Sequence, residues 1–176
     1  MQRRHFIKHA GASGLAAATL ASGVQAADSN PKISWKLASS YPKSLDTIYG
    51  AAELMANRVR AMTNGAFDIR VYAGGELVPG LQVLDAVKDG TVQCGHSASY
   101  YYVGKNKAFA FDTTVPFGLT ARQQNAWLSQ GGGLTLLREF FKDYNIINFP
   151  GGNTGTQMGG WFRKEVNSLA DLKGLK

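Results

Sequence analysis

The sequence contains few of the residues from which reactive and metal-binding sites are built. It has one cysteine, Cys94, and three histidines, two of which lie among the first 26 residues. A single cysteine excludes an internal disulfide. One cysteine and one further histidine, His96, are also too few for the clustered ligands that a zinc site requires.

The sequence also lacks long apolar runs and concentrated basic charge. No run reaches the roughly 20 apolar residues that a membrane-spanning helix needs. The formal net charge is +7, but without the first 26 residues 16 basic residues face 12 acidic ones, which leaves +4. The remaining lysines and arginines are scattered and form no stripe of the kind that nucleic-acid binding needs.

The first 26 residues have the three parts of an export signal. A basic start is followed by an uncharged stretch over 10–23 and by a small-x-small end that closes at Ala26. The start contains Arg3 and Arg4 and resembles the twin-arginine pattern. We predict a twin-arginine signal peptide over 1–26 and a periplasmic location. The alternative is an amphipathic helix with an accidental arginine pair.

Two apolar periodicities alternate along the rest of the chain. Strands are predicted at 33–38, 67–72, 91–99, 145–149 and 157–162. Helices are predicted at 46–63, 79–88, 120–130 and 134–141, with a short last one opened by a capping box at Ser168 and Asp171. This alternation predicts an α/β fold with a mainly parallel sheet and helices on both of its faces.

The residues with catalytic chemistry do not assemble into a set. Cys94 and His96 lie two apart on a predicted strand with no acid nearby to orient the histidine, so a buried structural cysteine is favoured over a nucleophile. Asp112 follows an aromatic loop, where a turn or N-cap role is favoured. Glycines 131–133 lie between predicted helices and indicate a hinge or packing point rather than a phosphate loop. Abundant loop aromatics therefore favour binding over catalysis.

Four segments carry a resemblance to a known family. They are 110–119, 131–141, 153–164 and 169–176, the last of which reads LADLKGLK. Together they resemble the solute-binding proteins of tripartite ATP-independent periplasmic (TRAP) transporters. The resemblance covers essentially the whole chain after Ala26 and is greatest to the branch that captures 2-oxo acids such as pyruvate.

The resemblance implies an α/β fold of the two-lobed periplasmic-binding-protein type. We expect residues 27–152 to form the first lobe. Residues 153–176 are expected to supply a hinge strand and the start of the second lobe. The pattern at 169–176 is that of a helix, its cap and the beginning of a further strand. We therefore expect a truncated second lobe.

The resemblance also implies a receptor rather than an enzyme. Such proteins close on an organic-acid anion and deliver it to membrane permease subunits driven by a sodium gradient. Some members of the branch hold a cation, sodium or calcium, with the ligand, and no covalent cofactor is implied. A glutamine at the position of Gln157 contacts ligand and cation, and its amide oxygen suits a hard cation. The family's carboxylate-anchoring arginine is expected on the strand that follows 169–176.

Several alternatives remain open from the residues alone. Gln157 also fits a sheet edge, and Tyr101 is either a cleft-facing ligand contact or packing between lobes. Trp161 and Phe162 fit an apolar core, and Arg163 fits a solvated surface better than a second ligand anchor. The ligand alternatives are lactate as a cation salt or another carboxylate. A sensor or scaffold of the same fold and an exported enzyme are the other functional classes, and a homodimer is one alternative for assembly.

Overall fold

The computed structural model describes residues 31–113, 115–155 and 159–175, which are centred on a parallel sheet of three strands. The strands are β1 (Ile33–Ser39), β2 (Phe67–Tyr72) and β3 (Cys94–His96). The helices are α1 (Asp46–Met62), α2 (Val83–Lys88), α3 (Ala121–Gln130) and α4 (Gly133–Lys142). Single 3₁₀ turns lie at Gly80–Gln82, Ser99–Tyr102, Lys107–Ala110 and Leu169–Leu172. The predicted signal peptide lies outside the described residues.

The sheet has the order β2-β1-β3, so the first strand of the chain lies in the middle. Both pairings are parallel, with Leu37 opposite Val71 on one side and Cys94 on the other. The alternating apolar residues of β1 point to opposite faces of the sheet. This arrangement confirms the predicted α/β class and the parallel sheet.

Helices cover both faces of the sheet, as the sequence predicts. Leu37 packs with Ala52 and Ala56 of α1 and with Ile69 of β2. Its neighbour Ala38 faces the other way and packs with α2 through Val83 and Ala86. Both Leu37 and Ala38 are almost fully buried. Burial of such side chains, at roughly 25 cal/mol per Å² of apolar surface, is the main stabilising contribution to this layer.

Gly95 allows α2 to lie directly against β3. A Cβ atom at this position would lie 2.8 Å from Val83 Cγ1 and 3.0 Å from Val87 Cγ2. Real Cβ atoms are not found this close to other heavy atoms, so any larger residue would push the helix away from the strand.

A further apolar cluster joins α4 to α2 and to the segments that follow β3. It contains Leu84, Tyr102, Phe109, Leu137 and Phe141, all of them buried. Helix α3 begins with the predicted capping box, in which Thr120 and Gln123 exchange hydrogen bonds. The glycine-rich link between α3 and α4 is a packing point, because Gly132 adopts a left-handed φ of 80° and a Cβ on Gly133 would overlap the Trp127 ring.

Three strand predictions differ from the structure. Strand β3 is shorter than the predicted 91–99, because Ser99 begins a 3₁₀ turn. Residues 145–149 and 159–162 contain no strand, although their apolar pattern permits one, since no neighbouring strand pairs with them in the part of the chain that the structure describes. Residues 157 and 158 lie outside that part.

The described residues of the stretch 146–175 are largely exposed. Phe149, Trp161 and Leu169 have 70%, 88% and 86% of their surface accessible to solvent. Phe162 is 51% exposed, so the core position predicted for it, and the alternative of a core position for Trp161, are wrong for the described chain. The capping box of Ser168 and Asp171 forms as predicted and opens a 3₁₀ turn. The predicted lobe boundary near residue 152 stays a prediction.

No helix within the described ranges is both long and apolar enough to cross a membrane.

Candidate functional site

The order of the strands identifies one edge of the sheet as the candidate site. Strand β2 lies on one side of β1 and strand β3 lies on the other. The order of the strands therefore reverses at β1, and the carboxyl ends of β1 and β3 form a topological switch point. In open α/β sheets, ligands bind outside the carboxyl ends of the strands at such a point. Here the strands end at Ser39 and His96.

Polar side chains from both strand ends meet at this edge. Ser39 is almost fully buried, and its Oγ lies 3.3 Å from His96 Nδ1 and accepts a hydrogen bond from the Tyr41 amide at 3.1 Å. Burial lowers the pKa of His96, so its imidazole is neutral at neutral pH. The neutral ring carries one donor and one acceptor nitrogen.

A row of hydroxyl groups continues from the end of β1 towards α2. Ser40 Oγ donates to the Gly80 carbonyl at 2.6 Å and lies 2.7 Å from Ser97 Oγ. Ser97 Oγ lies 2.8 Å from the Tyr102 hydroxyl, which accepts a hydrogen bond from the Leu84 amide at 3.2 Å. These bonds fix the loop after β1 against the segment after β3.

Two glycines let neighbouring loops approach the backbone of Ser40. A Cβ on Gly74 would lie 2.9 Å from the Ser40 carbonyl oxygen, and one on Gly80 would lie 2.8 Å from the same atom. The Gly74 amide also donates to the Tyr41 carbonyl at 2.9 Å. The loops after all three strands are therefore held closely together at this edge.

Aromatic rings line the same edge. The Tyr41 ring lies 5.1 Å from the His96 ring and 6.3 Å from the Tyr101 ring, centroid to centroid. Tyr101 is half-buried in the 3₁₀ turn and packs edge-to-face on Tyr100 at 4.6 Å. The structure thus places the predicted contact residue Tyr101 beside the switch point. Its role in binding stays a prediction.

The tyrosine hydroxyls at this edge are neutral donors. The hydrogen bond with Tyr100, followed by burial, raises the pKa of Tyr101 to about 12. Burial also raises the pKa of Tyr41 above its ordinary value. A neutral phenol donates a hydrogen bond to an anion without introducing a charge. The edge therefore suits a small anion that has both oxygen acceptors and an apolar part.

The charged residues at this edge are engaged with each other. Lys43, in the loop after β1, pairs with Glu76 at 2.7 Å, and Glu76 also accepts from the Ala73 amide at 2.8 Å. The pair links the loops after β1 and β2. Lys43 is thus held by a carboxylate next to a site made mainly of hydroxyl groups and rings.

Cys94 has the structural role that its sequence context predicts. It is partly buried, is not in a disulfide and packs against the apolar cluster under α1. Burial raises the pKa of its thiol, which keeps it in the neutral form that is a poor nucleophile.

The other predicted ligand and cation contact, Gln157, lies outside the described residues. Within the ranges that the structure describes, no group of three His, Cys, Asp or Glu side chains is placed to hold a metal ion. Arg163 is exposed beside a shallow open groove with Lys164 and Glu165, in agreement with a solvated charge.

Sequence reasoning missed most of this site. Ser39, Ser40 and Tyr41 look like ordinary loop residues after a predicted strand, and Ser97 looks like an ordinary residue of the predicted strand 91–99. The available signal was that polar residues follow two strands that a parallel sheet brings to the same edge. To recognise the site from this signal, one needs the order of the strands in the sheet, which the periodicity of the sequence does not give.

The chain matches the family model of bacterial extracellular solute-binding proteins, family 7, over residues 38–176. It belongs to this family. The match includes all the residues of the sheet edge, from Ser39 to Tyr102. A family of binding proteins agrees with the preference for binding over catalysis that the sequence indicates.

The chain is also similar in sequence to an individual known protein. The chain is 61% identical over 146 residues to a monocarboxylate 2-oxoacid-binding periplasmic protein of Nostoc sp., covering 83% of this chain and 40% of the relative. It thus spans less than half the length of this relative. The alignment nevertheless includes most of the residues that follow the predicted signal peptide.

Two crystal structures of TRAP solute-binding proteins resemble the fold. One, from Bordetella bronchiseptica, is a mixed-occupancy dimer with calcium and picolinate in one active site. It is 57% identical with a TM-score of 0.80, covering 83% of this chain and 44% of that chain. The other, from Colwellia psychrerythraea, has bound calcium and pyruvate. It is 48% identical with a TM-score of 0.79, covering 82% of this chain and 44% of that chain. The predicted periplasmic-binding-protein fold is thereby confirmed.

Proposed function

We propose that this chain is part of an extracytoplasmic receptor that captures a small organic acid, a 2-oxo monocarboxylate such as pyruvate. The observation that carries the proposal is the 61% identity with the 2-oxoacid-binding protein of Nostoc sp.. The side chains at the sheet edge suit a small acid as well. The receptor would deliver its ligand to the permease subunits of a sodium-driven TRAP transporter.

The chemistry of the sheet edge supports a monocarboxylate. Tyr41 and Tyr101 supply neutral hydroxyl donors and ring surface, and His96 supplies a neutral imidazole. These groups can bond carboxylate and keto oxygens while the rings contact the methyl end of the ligand. A dicarboxylate would need a second cationic anchor, and Lys43 is already paired with Glu76.

Gln157 completes the proposal as a contact to the ligand and to a cation, sodium or calcium. An amide oxygen is a suitable ligand for such hard cations. The relatives from Bordetella bronchiseptica and Colwellia psychrerythraea each hold calcium together with an organic acid. The described residues contain no carboxylate cluster that would replace Gln157 in this role.

The ligand and the cation are tested together by thermal unfolding of the full-length protein. Pyruvate, other 2-oxo acids, lactate and succinate are compared, each with and without sodium or calcium. A ligand at a hundred times its dissociation constant stabilises the folded state by about 2.7 kcal/mol, so the true ligand raises the melting temperature clearly. We expect 2-oxo monocarboxylates to do so. Gln157→Ala should weaken this binding and reduce its dependence on the cation.

Two results would contradict this assignment. A panel in which only dicarboxylates or sugars raise the melting temperature would exclude the 2-oxo acid branch. A Gln157→Ala variant with normal affinity and normal cation dependence would remove Gln157 from the site. Tyr101→Phe tests the tyrosine hydroxyl separately from the ring, because it keeps the ring and deletes only the hydroxyl donor.

Export is a separate part of the proposal. We infer that Arg3 and Arg4 direct twin-arginine export and that cleavage follows Ala26, which places the receptor in the periplasm. Replacement of both arginines by lysine keeps the charge, yet precursor is expected to accumulate in the cytoplasm. Fractionation and immunoblotting measure this. Normal amounts of mature protein in the periplasm of the double variant would exclude the twin-arginine route.

A further inference from the structure

The 3₁₀ turn Ser99–Tyr102, here named the tyrosine turn, lies next to the sheet-edge site. Its first residue, Ser99, contacts a carboxyl group. Ser99 is 8% exposed. Its Oγ lies 2.8 Å from the Phe109 carbonyl oxygen and 3.3 Å from Thr113 Oγ1, and it contacts Asp112 Oδ1. The contacts join the beginning of the turn to the segment 109–113.

The cluster has too few hydroxyl hydrogens if Asp112 is ionised. Ser99 and Thr113 have one hydroxyl hydrogen each, whereas a carboxylate and a carbonyl oxygen only accept. Three contacts require a hydrogen: Ser99 with the Phe109 carbonyl, Ser99 with Asp112, and Ser99 with Thr113. A proton on Asp112 supplies the third. The carboxyl then donates to Ser99 Oγ, and Ser99 donates to the carbonyl.

The surroundings of the carboxyl favour the same protonation state. Burial raises the pKa of Asp112 to about 7, while bonds from Thr113 and from its own backbone amide oppose the rise. The charged side chains on the adjoining elements are Lys105, which pairs with Asp85 at 3.0 Å, Lys107 and Arg122. None of them is among the causes of the pKa shift.

We propose that Asp112 is a positioning residue whose protonated carboxyl holds the tyrosine turn in place, and that its ionisation loosens the turn. The turn carries Tyr101 to the sheet edge and Tyr102 to Ser97 and the Leu84 amide. Asp112 thus acts on the site through Ser99. This effect needs no ligand and does not depend on the proposed function.

The direction of the pH effect follows from the raised pKa. The folded state binds the Asp112 proton more tightly than the unfolded chain, whose carboxyl has the ordinary value of 3.8. The resulting stability is fully present below that ordinary value and is lost as the pH rises towards and through about 7. The tyrosine turn is expected to change its environment over the upper part of the same range.

The test compares the chain with Asp112→Asn, which keeps a neutral group with both a donor and an acceptor. The exposed Asp143, at the end of α4, gives the matched control Asp143→Asn. Thermal unfolding and the near-ultraviolet circular dichroism of the tyrosines are recorded from about pH 5 to about pH 9. The unmodified chain and Asp143→Asn should show a step in both measurements: their melting temperature should fall as the pH rises to about 7 and then level off, and their tyrosine signal should change with a midpoint near 7. Asp112→Asn should lack this step in both measurements.

An unchanged step in Asp112→Asn, or no step in the unmodified chain, overturns the proposal. If Asp112→Asn does not fold, infrared spectroscopy of the unmodified chain decides. A protonated carboxyl has a carbonyl stretch separate from that of a carboxylate, and this band should disappear as the pH passes through 7. Absence of the band below that pH overturns the proposal. Failure of the 2-oxo acid panel would leave all these pH profiles unchanged, so the two failures are distinguishable.

Discussion

Residues 33–113 bury several large apolar side chains, whereas the described residues of 146–175 leave most of theirs exposed. Leu37 and Phe109 in the first region are 3% and 1% exposed, whereas Phe149 and Leu169 in the second are 70% and 86% exposed. The same residue types occur in both regions, so composition does not account for the difference. An apolar side chain stabilises a fold only where another element removes it from water.

In the first region, neighbouring strands and helices remove the apolar side chains of the central strand from water. Its central strand has a partner strand on each edge and a helix on each face. The second region contributes no strand within the described residues, and its single 3₁₀ turn is exposed. The comparison predicts that equal substitutions will have unequal effects in the two regions.

The largest difference is expected for phenylalanine. Phe109→Ala removes a ring that packs on Tyr102 at 5.8 Å and on Phe141 at 5.6 Å, and should lower the free energy of unfolding by about 3–5 kcal/mol. Phe149→Ala removes an exposed ring that Arg138 contacts at 5.2 Å and should lower it by less than about 1 kcal/mol. Denaturant unfolding measures both. Equal losses would show that the second region is packed in solution.

A smaller difference is expected for glycine. Gly95→Ala places a methyl group 2.8 Å from Val83 Cγ1 and should lower the free energy of unfolding by about 1–3 kcal/mol through overpacking. Gly151 has no atom within 4 Å of an added Cβ, so Gly151→Ala should change it by less than about 0.5 kcal/mol. A neutral Gly95→Ala would mean that α2 lies further from β3 than the structure places it.

The smallest difference concerns the two capping boxes. Thr120→Ala deletes the cap of α3 and should lower the free energy of unfolding by about 1 kcal/mol. Ser168→Ala deletes an equivalent cap on an exposed 3₁₀ turn and should have an effect below about 0.5 kcal/mol. Hydrogen exchange of the capped amides measures the local effect in each case. Similar global losses would indicate that the 3₁₀ turn unfolds together with the core.

The two regions also differ in how well the sequence predicts their secondary structure. Strands β1 and β2 and helices α1, α3 and α4 agree with their predicted bounds to within one residue, because each carries a clear period and recognisable ends. The pattern at 145–149 is just as apolar, yet it forms no strand. Alternation indicates the capacity to pair, while the partner is a property of the rest of the fold.

The candidate site shows the same limit. Tyr101 was identified from an aromatic run, and the structure brings it beside Tyr41 and His96. The serines of the hydroxyl row were not identified, because their importance depends on β1 lying between β2 and β3. Strand order is set by packing between distant segments, and local patterns do not report it.

The position of β1 in the sheet also determines how long this strand stays without a partner while the chain is synthesised. The strand that will lie in the middle of the sheet is the first to be made, and Ser40 and Ser97, which bond across the β1–β3 edge, are 57 residues apart. At about 5–20 residues per second, the ribosome delivers β3 roughly 3–11 seconds after β1. Throughout that interval β1 has at least one unpaired edge, and such edges readily join other chains. Residues 33–39 are therefore a part of the nascent chain that needs protection from pairing with other chains.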